Sequence, residues 1–172
     1  MISQLSTLSV RHRNHLRGKE VQEIVGQLRA VLHDSGWDKL KESKIEVSSL
    51  GPEEHLYFID GRPGLLKIGE NLFPTLTNSM ILESVPTITV DAGAVSHICN
   101  GSALMAPGIV RIEGTFPLNA VVAVKEITYG KTIALVKSLL DSRELATVKK
   151  GKAALTVHYV GDKYWKIYRN LT

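Results

Sequence analysis

The six histidines, His12, His15, His33, His55, His97 and His158, are the side chains most suited to metal ligation or proton transfer near neutral pH. None of them falls into a metal-ligand spacing. His97 and Cys99 stand two apart, with no second cysteine or HxxxH partner to complete a zinc site, so no metal and no cofactor is expected. Cys99 is the chain's one cysteine; it reads as a small packing residue, since nothing nearby in sequence would lower its pKa. A Gly-x-Ser-x-Gly elbow, a P-loop and a GxGxxG fingerprint are all absent. Glu53-Glu54 beside Pro52 reads as a solvated turn. An enzyme would need a site assembled from scattered residues, and the chain is read as non-enzymatic.

Residues 90–110, VDAGAVSHICNGSALMAPGIV, carry a different kind of chemistry. Gly93 between two alanines permits close backbone approach, Asn100-Gly101 favours a turn with positive φ, and Ala106-Pro107-Gly108 makes a second small, rigid turn. Such a patch of backbone amides among small side chains can admit a phosphate or a base where bulky residues could not. The same residues would also serve simply to turn a tight barrel. Lys149, Lys150 and Lys152 form a basic cluster suited to phosphates or to an ordinary solvated loop, and residues 11–17, RHRNHLR, form a second.

The elements that must position these residues differ on the two sides of Pro86. Residues 19–33 place Val21, Ile24, Val25, Leu28, Val31 and Leu32 at helical spacing, with Gly26 inside and Gly36 where a cap is expected, so that helix should end near Asp34. Residues 44–47, 55–60 and 65–68 read as strands, the last returning after a turn over residues 60–64, and Phe73-Pro74-Thr75-Leu76 starts a further short element. Beyond Pro86, short β-prone runs at 87–90, 109–112, 121–126, 132–136, 153–157 and 163–168 suggest a small barrel or sandwich. Helices are expected at 93–99 and at 142–148, the second with Ser142 as N-cap. The expected class is α+β: a small α+β domain over residues 1–85, a short hinge, and a β-rich domain over residues 86–172.

With 172 residues and 44% hydrophobic content, the chain can bury one ordinary core or two small ones. No apolar run approaches the roughly 20 residues of a membrane span, and residues 1–8 lack the blocks of a secretory signal. A soluble, cytoplasmic protein without a membrane role is expected. Residues 1–85 hold ten Lys and Arg against eleven Asp and Glu, residues 86–172 eleven against six, for net charges of −1 and +5. The charge of this half suggests an anionic partner, nucleic acid first and a membrane surface next, and is equally that of a slightly basic solvated surface.

The segments Val90-Asp91-Ala92-Gly93-Ala94, Asn100-Gly101-Ser102-Ala103, Met105-Ala106-Pro107-Gly108-Ile109, the strand Val121–Val124, Ile133-Ala134 and Lys150-Gly151-Lys152-Ala153 resemble, in order and spacing, the PUA domain. That module is named for pseudouridine synthases and the archaeosine transglycosylase. Arg11-His12-Arg13, the helix at 19–33 and the stretch YFIDGRPGLLKIGENLFPTL look like the companion pre-PUA domain, and His158–Trp165 completes the likeness. The pairing is similar to stand-alone archaeal PUA proteins, to the eukaryotic oncoprotein amplified in malignant T cells, and to part of ligatin. The resemblance implies a β-rich pseudobarrel and RNA binding, to tRNA or small-subunit rRNA, in translation initiation, reinitiation or recycling. It implies work at the small ribosomal subunit, with a translation-factor partner in the eukaryotic case. It places RNA contacts on Ala92, Gly93 and Ala94, then on Gly101, Met105, Ala106, Pro107 and Gly108, with Lys149, Lys150 and Lys152 on phosphates. The Met105 side chain could meet a base or the barrel, the barrel core being the expectation. Two other readings stay open: a stand-alone subunit that presents RNA to a tRNA- or rRNA-modifying enzyme, and an enzyme with its site in residues 1–85.

Overall fold

A computed structural model describes residues 10, 12–32 and 36–171. Arg11, His33, Asp34 and residues 1–8, on which parts of the sequence reading fall, lie outside them. The chain divides into two compact units, one running up to Ile81 and taking in the residues from Ile167 on, the other Leu82–Lys166. Among the described residues no helix is long and apolar enough to cross a membrane.

In the first unit, helix α1 (Lys19–Leu32) buries Val21, Ile24, Val25 and Leu28, one side of the amphipathic pattern, while Gly26 meets open space. Gly36 opens a short 3-10 helix (Gly36–Lys41) that packs on α1 through buried Trp37 and Leu40. A five-stranded antiparallel sheet follows the order β1 (Asn14–His15), β2 (Ile45–Gly51), β3 (Glu54–Ile59), β4 (Arg62–Ile68) and β5 (Asn71–Pro74). The turn between β3 and β4 is narrower than residues 60–64: Asp60 and Gly61 alone make it, at φ 50° and 81°, and Arg62, Pro63 and Gly64 already belong to β4. Phe73-Pro74-Thr75-Leu76 is the knot of this unit. Buried Thr75 donates its hydroxyl to the Pro63 carbonyl at 3.0 Å and its amide to the Gly64 carbonyl at 2.9 Å, and the Leu76 amide donates to the Tyr168 hydroxyl at 3.1 Å. Helix α2 (Ser79–Leu82) is a single turn.

The second unit is a six-stranded sheet curled around its own core, in the order β7 (Leu104–Met105), β11 (Lys152–Tyr159), β10 (Thr132–Ser138), β9 (Val121–Glu126), β6 (Thr87–Val90) and β8 (Ile109–Glu113). All neighbours are antiparallel except β6 and β9. Ile88, Val90, Val122, Val124, Ala134 and Val136 fill the interior with Ile98 of α3 (Ala92–Ile98) and Leu145 of α4 (Ser142–Thr147). Of the small barrel and the sandwich that the β-prone runs suggest, the curled sheet is a half-barrel.

Two expectations are overturned. Residues 163–168 form a helix, α5 (Lys163–Arg169), not a strand. Their aromatic content reads as β, but the Asp162 carboxylate accepts from the Trp165 amide at 2.8 Å and starts a helix there. Tyr164 and Tyr168 are both buried while Lys166 between them is exposed, whereas a strand would put all three on one face. The cap of α4 is Asp141 and not Ser142: its carboxylate accepts from the Arg143 and Glu144 amides, and the Glu144 carboxylate accepts from the Asp141 amide, a complete capping box. Ser142 is buried, and its hydroxyl oxygen accepts from the Phe116 amide at 3.2 Å.

Candidate nucleic-acid interface

The register of the second unit brings three turns to one end of the sheet. Val90 of β6 stands opposite Ile109 of β8 and beside Glu126 of β9. The start of α3, the 3-10 turn Ala106–Gly108 and the β9–β10 hairpin therefore share that end.

Asp91 sets the entry into α3. Its carboxylate accepts from the Ala94 amide at 2.9 Å, while its own amide donates to the Gly108 carbonyl at 3.0 Å, so one residue caps the helix and ties it to the 3-10 turn. Gly108 comes close enough that an added Cβ would stand 3.0 Å from the Ala94 Cβ. Between α3 and β7 this leaves a concavity of about 310 Å³, bordered by Gly93, Ala94, His97, Met105, Pro107 and Gly108 over buried Ile98 and Leu104. A Cβ on exposed Gly93 would meet only the Asp91 Oδ1, at 3.3 Å. The rim there consists of helix backbone with almost no side chain over it.

The structure gathers Gly93, Ala94, Met105, Pro107 and Gly108 around this concavity, with Ala92 exposed at the helix start. It takes the Met105 side chain out of the core, where it was expected: Met105 is 46% exposed, and Leu104 occupies the core position instead. Lys152 stands opposite Met105 in register, and the Ala106 amide donates to the Gly151 carbonyl at 2.9 Å, which anchors the Lys149–Lys152 cluster beside β7 with all three lysines exposed. Ala106 itself is buried in the core. Gly101, at φ 81°, has its Cα against the Tyr159 ring, where a Cβ would lie 3.1 Å away, so it shapes the turn and does not border the concavity.

His97, which in the sequence reads only as a metal-ligand candidate, is exposed on the concavity. It follows Ala94 by three residues and Gly93 by four, the helical spacing that could have placed it on their face. Cys99 is half-buried against the core, and burial pushes its thiol up, away from reactivity. His158 is fully buried, its Nδ1 2.6 Å from Asp162 Oδ2. The first unit carries a larger groove of about 800 Å³ whose ionisable lining is Asp60 and Arg62. One oxygen of Asp60 already accepts from the Lys44 amide at 2.9 Å. Among the described residues no group of three or more His, Cys, Asp or Glu is placed to hold a metal ion.

The PUA domain family matches residues 86–160. Over 161 residues the chain is 30% identical to an uncharacterized protein of Methanocaldococcus jannaschii, covering 92% of this chain and 98% of the relative. It is 25% identical over 132 residues to translation machinery-associated protein 20 of Saccharomyces cerevisiae, covering 73% of each. Its structure is similar to that of a conserved PUA domain protein from Thermoplasma acidophilum, with a TM-score of 0.71 and 29% identity over 91% of this chain and 99% of the other.

Proposed function

This chain belongs to the family of stand-alone PUA-domain proteins, and from that premise we propose that it binds RNA, tRNA or small-subunit rRNA, in translation, without catalysing a reaction. The observation that carries the reading is the small-residue concavity at the start of α3, where the backbone around Gly93 is uncovered and Lys152 stands opposite Met105. A nucleotide can approach such a rim closely, hydrogen-bond to backbone and be read by shape, while lysines hold the phosphates as point charges. In this assignment Ala92, Gly93, Ala94, Pro107 and Gly108 supply the surface, and Met105 offers an exposed thioether to a base. Gly101 and Ala106 act beneath it, as supports. Residues 86–172 then form the RNA-binding module, and residues 1–85 its companion. The likeness to a protein named for association with the translation machinery favours the ribosome over a modifying enzyme as the place of work.

Binding to labelled tRNA and small-subunit rRNA fragments across a salt series tests this, with Gly93→Glu and a triple Lys149, Lys150, Lys152 to alanine variant alongside. Affinity should fall with salt, and the triple variant should weaken binding and flatten the slope by roughly two, at about 0.7 to 0.9 per phosphate contact. Gly93→Glu should abolish binding while the protein stays folded. Absence of binding at low salt, or full affinity in a folded Gly93→Glu variant, overturns the proposal.

A further inference from the structure

The β9–β10 hairpin stands beside the proposed RNA surface and displays an aromatic side chain that the core does not use. Tyr129 is 79% exposed. Among the described residues its ring takes part in no ring pair, cation contact or side-chain hydrogen bond. Exposing so much aromatic surface forgoes the burial that usually accounts for a tyrosine in a folded domain.

The loop that carries it is held from within. The Glu126 side chain, itself buried, accepts from the amides of Thr128 and Tyr129, both at 2.7 Å, and from that of Lys131 at 3.2 Å. The Glu126 amide donates to the Lys131 carbonyl and the Gly130 amide to the Glu126 carbonyl, each at 3.1 Å, with Gly130 at φ 65°. Every bond is made by backbone or by Glu126, so the tyrosine ring is free to face outward on a fixed base. The hairpin is also fixed in place: the Ile127 amide donates to the Val90 carbonyl at 3.1 Å. Tyr129 follows Ile127 by two residues and Ala92 follows Val90 by two, so the hairpin tip and the α3 junction both leave from this one hydrogen bond. Lys131, exposed, ends the same loop, and Lys125 pairs with Thr132 at its base, so a lysine stands on each strand of the hairpin.

An aromatic face on a preorganised loop, flanked by lysines, is the arrangement by which single-stranded nucleic acid is held without base-edge readout. We infer that Tyr129 is a stacking platform for an unpaired base, that Glu126 positions it, and that Lys131 takes an adjoining phosphate, which extends the RNA surface from α3 across the sheet end to the β9–β10 hairpin. This rests on the RNA-binding reading above. A larger ring overlaps the tyrosine face better, so purines should be held more tightly than pyrimidines. The salt dependence belongs to the lysines and not to the ring.

The test uses the full chain with short oligoadenylate and oligouridylate, an oligoadenylate carrying 2-aminopurine, and labelled tRNA. Tyr129→Ala should weaken oligoadenylate binding roughly tenfold, oligouridylate less, and leave the salt slope unchanged; Tyr129→Phe should keep the affinity, and Lys131→Ala should flatten the slope. Quenching of 2-aminopurine on binding should persist in Tyr129→Phe and disappear in Tyr129→Ala. If Gly93→Glu abolishes binding but Tyr129→Ala changes neither affinity nor quenching, this inference falls and the RNA-binding reading stands. If the wild-type chain binds none of the probes, that reading falls and takes the inference with it. Unchanged RNA binding by Tyr129→Ala, together with lost association with small ribosomal subunits, would make the tyrosine a protein contact and overturn the inference equally.

Discussion

Two loops of the second unit are organised by a single carboxylate each, and they put their aromatic residues to opposite use. Glu126 gathers the amides of Thr128, Tyr129 and Lys131; Asp162 gathers those of Tyr159, at 3.1 Å, and Trp165, at 2.8 Å, together with the His158 ring. Burial pushes both carboxyls up, but it is outweighed. The Lys131, Tyr129 and Thr128 amides hold Glu126 below the usual carboxylate range, and the His158 ring, by hydrogen bond and by charge, does the same for Asp162 with help from the Trp165 and Tyr159 amides. Yet Tyr129 stands in solvent while Tyr164 is buried, its ring edge-on to fully buried His158 with centroids 6.1 Å apart. The number of bonds at the carboxylate does not separate the two loops. What separates them is whether apolar surroundings close over the aromatic, as they do at α5 and do not at the hairpin tip.

The comparison breaks most sharply at the tyrosines. Tyr164→Ala should cost about 3–4 kcal/mol of stability, by analogy with other buried aromatic truncations, in urea unfolding of the full chain. The RNA affinity of the molecules that remain folded should stay at the wild-type value. Asp162→Ala should come next, at roughly 2–3 kcal/mol, because it removes a helix cap and the acceptor of a buried histidine together. A loss of less than about 0.5 kcal/mol in either variant would mean that the α5 loop is as open as the hairpin.

Acid titration sharpens the same contrast. A carboxyl whose folded pKa is depressed contributes stability that is fully present above its unfolded pKa, about 3.9 for Asp and 4.3 for Glu, and is lost as pH falls through the folded value. Both loops should therefore weaken below about pH 4. Asp162→Asn should flatten the acid limb of the stability curve, because its partner is buried. Glu126→Gln should flatten it less, but should lower oligoadenylate affinity at neutral pH by loosening the base of Tyr129. Equal stability effects from the two substitutions would remove the distinction between a closing carboxylate and a displaying one.

Much of this arrangement was legible in the sequence. The β-branched runs located the strands, and the small residues of 92–94 and 106–108 located the turns that border the concavity. The misreadings have physical causes. Residues 163–168 read as a strand because aromatic content favours β, whereas the helix is set by Asp162 three residues before Trp165 and shows in the burial of Tyr164 and Tyr168 with Lys166 exposed between them. Ser142 has the composition of a cap, but it is Asp141 that has Glu144 at the capping-box distance. β7 is two residues long, too short to show a period, so nothing indicated that Leu104 would face the core and Met105 the surface. The Tyr129 hairpin is silent in the sequence because exposure of an aromatic is a tertiary fact: EITYG has the composition of any hairpin tip, and only the folded sheet end brings it to Val90.

The smallest effect is the most discriminating. Tyr129→Ala removes a side chain that contributes almost nothing to the core, so unfolding free energy should change by less than about 0.5 kcal/mol, and Tm by a few degrees at most. The Glu126 hydrogen bonds involve backbone amides, which alanine retains, so the hairpin should keep its shape. A stability loss approaching that of Tyr164→Ala would show that the ring packs against the protein in solution, and the exposed platform would have to be given up. A near-zero change beside a tenfold loss of oligoadenylate affinity would separate the two loops by function while leaving their shared carboxylate chemistry intact. The same clamp would then serve closure where apolar residues cover it and recognition where they do not.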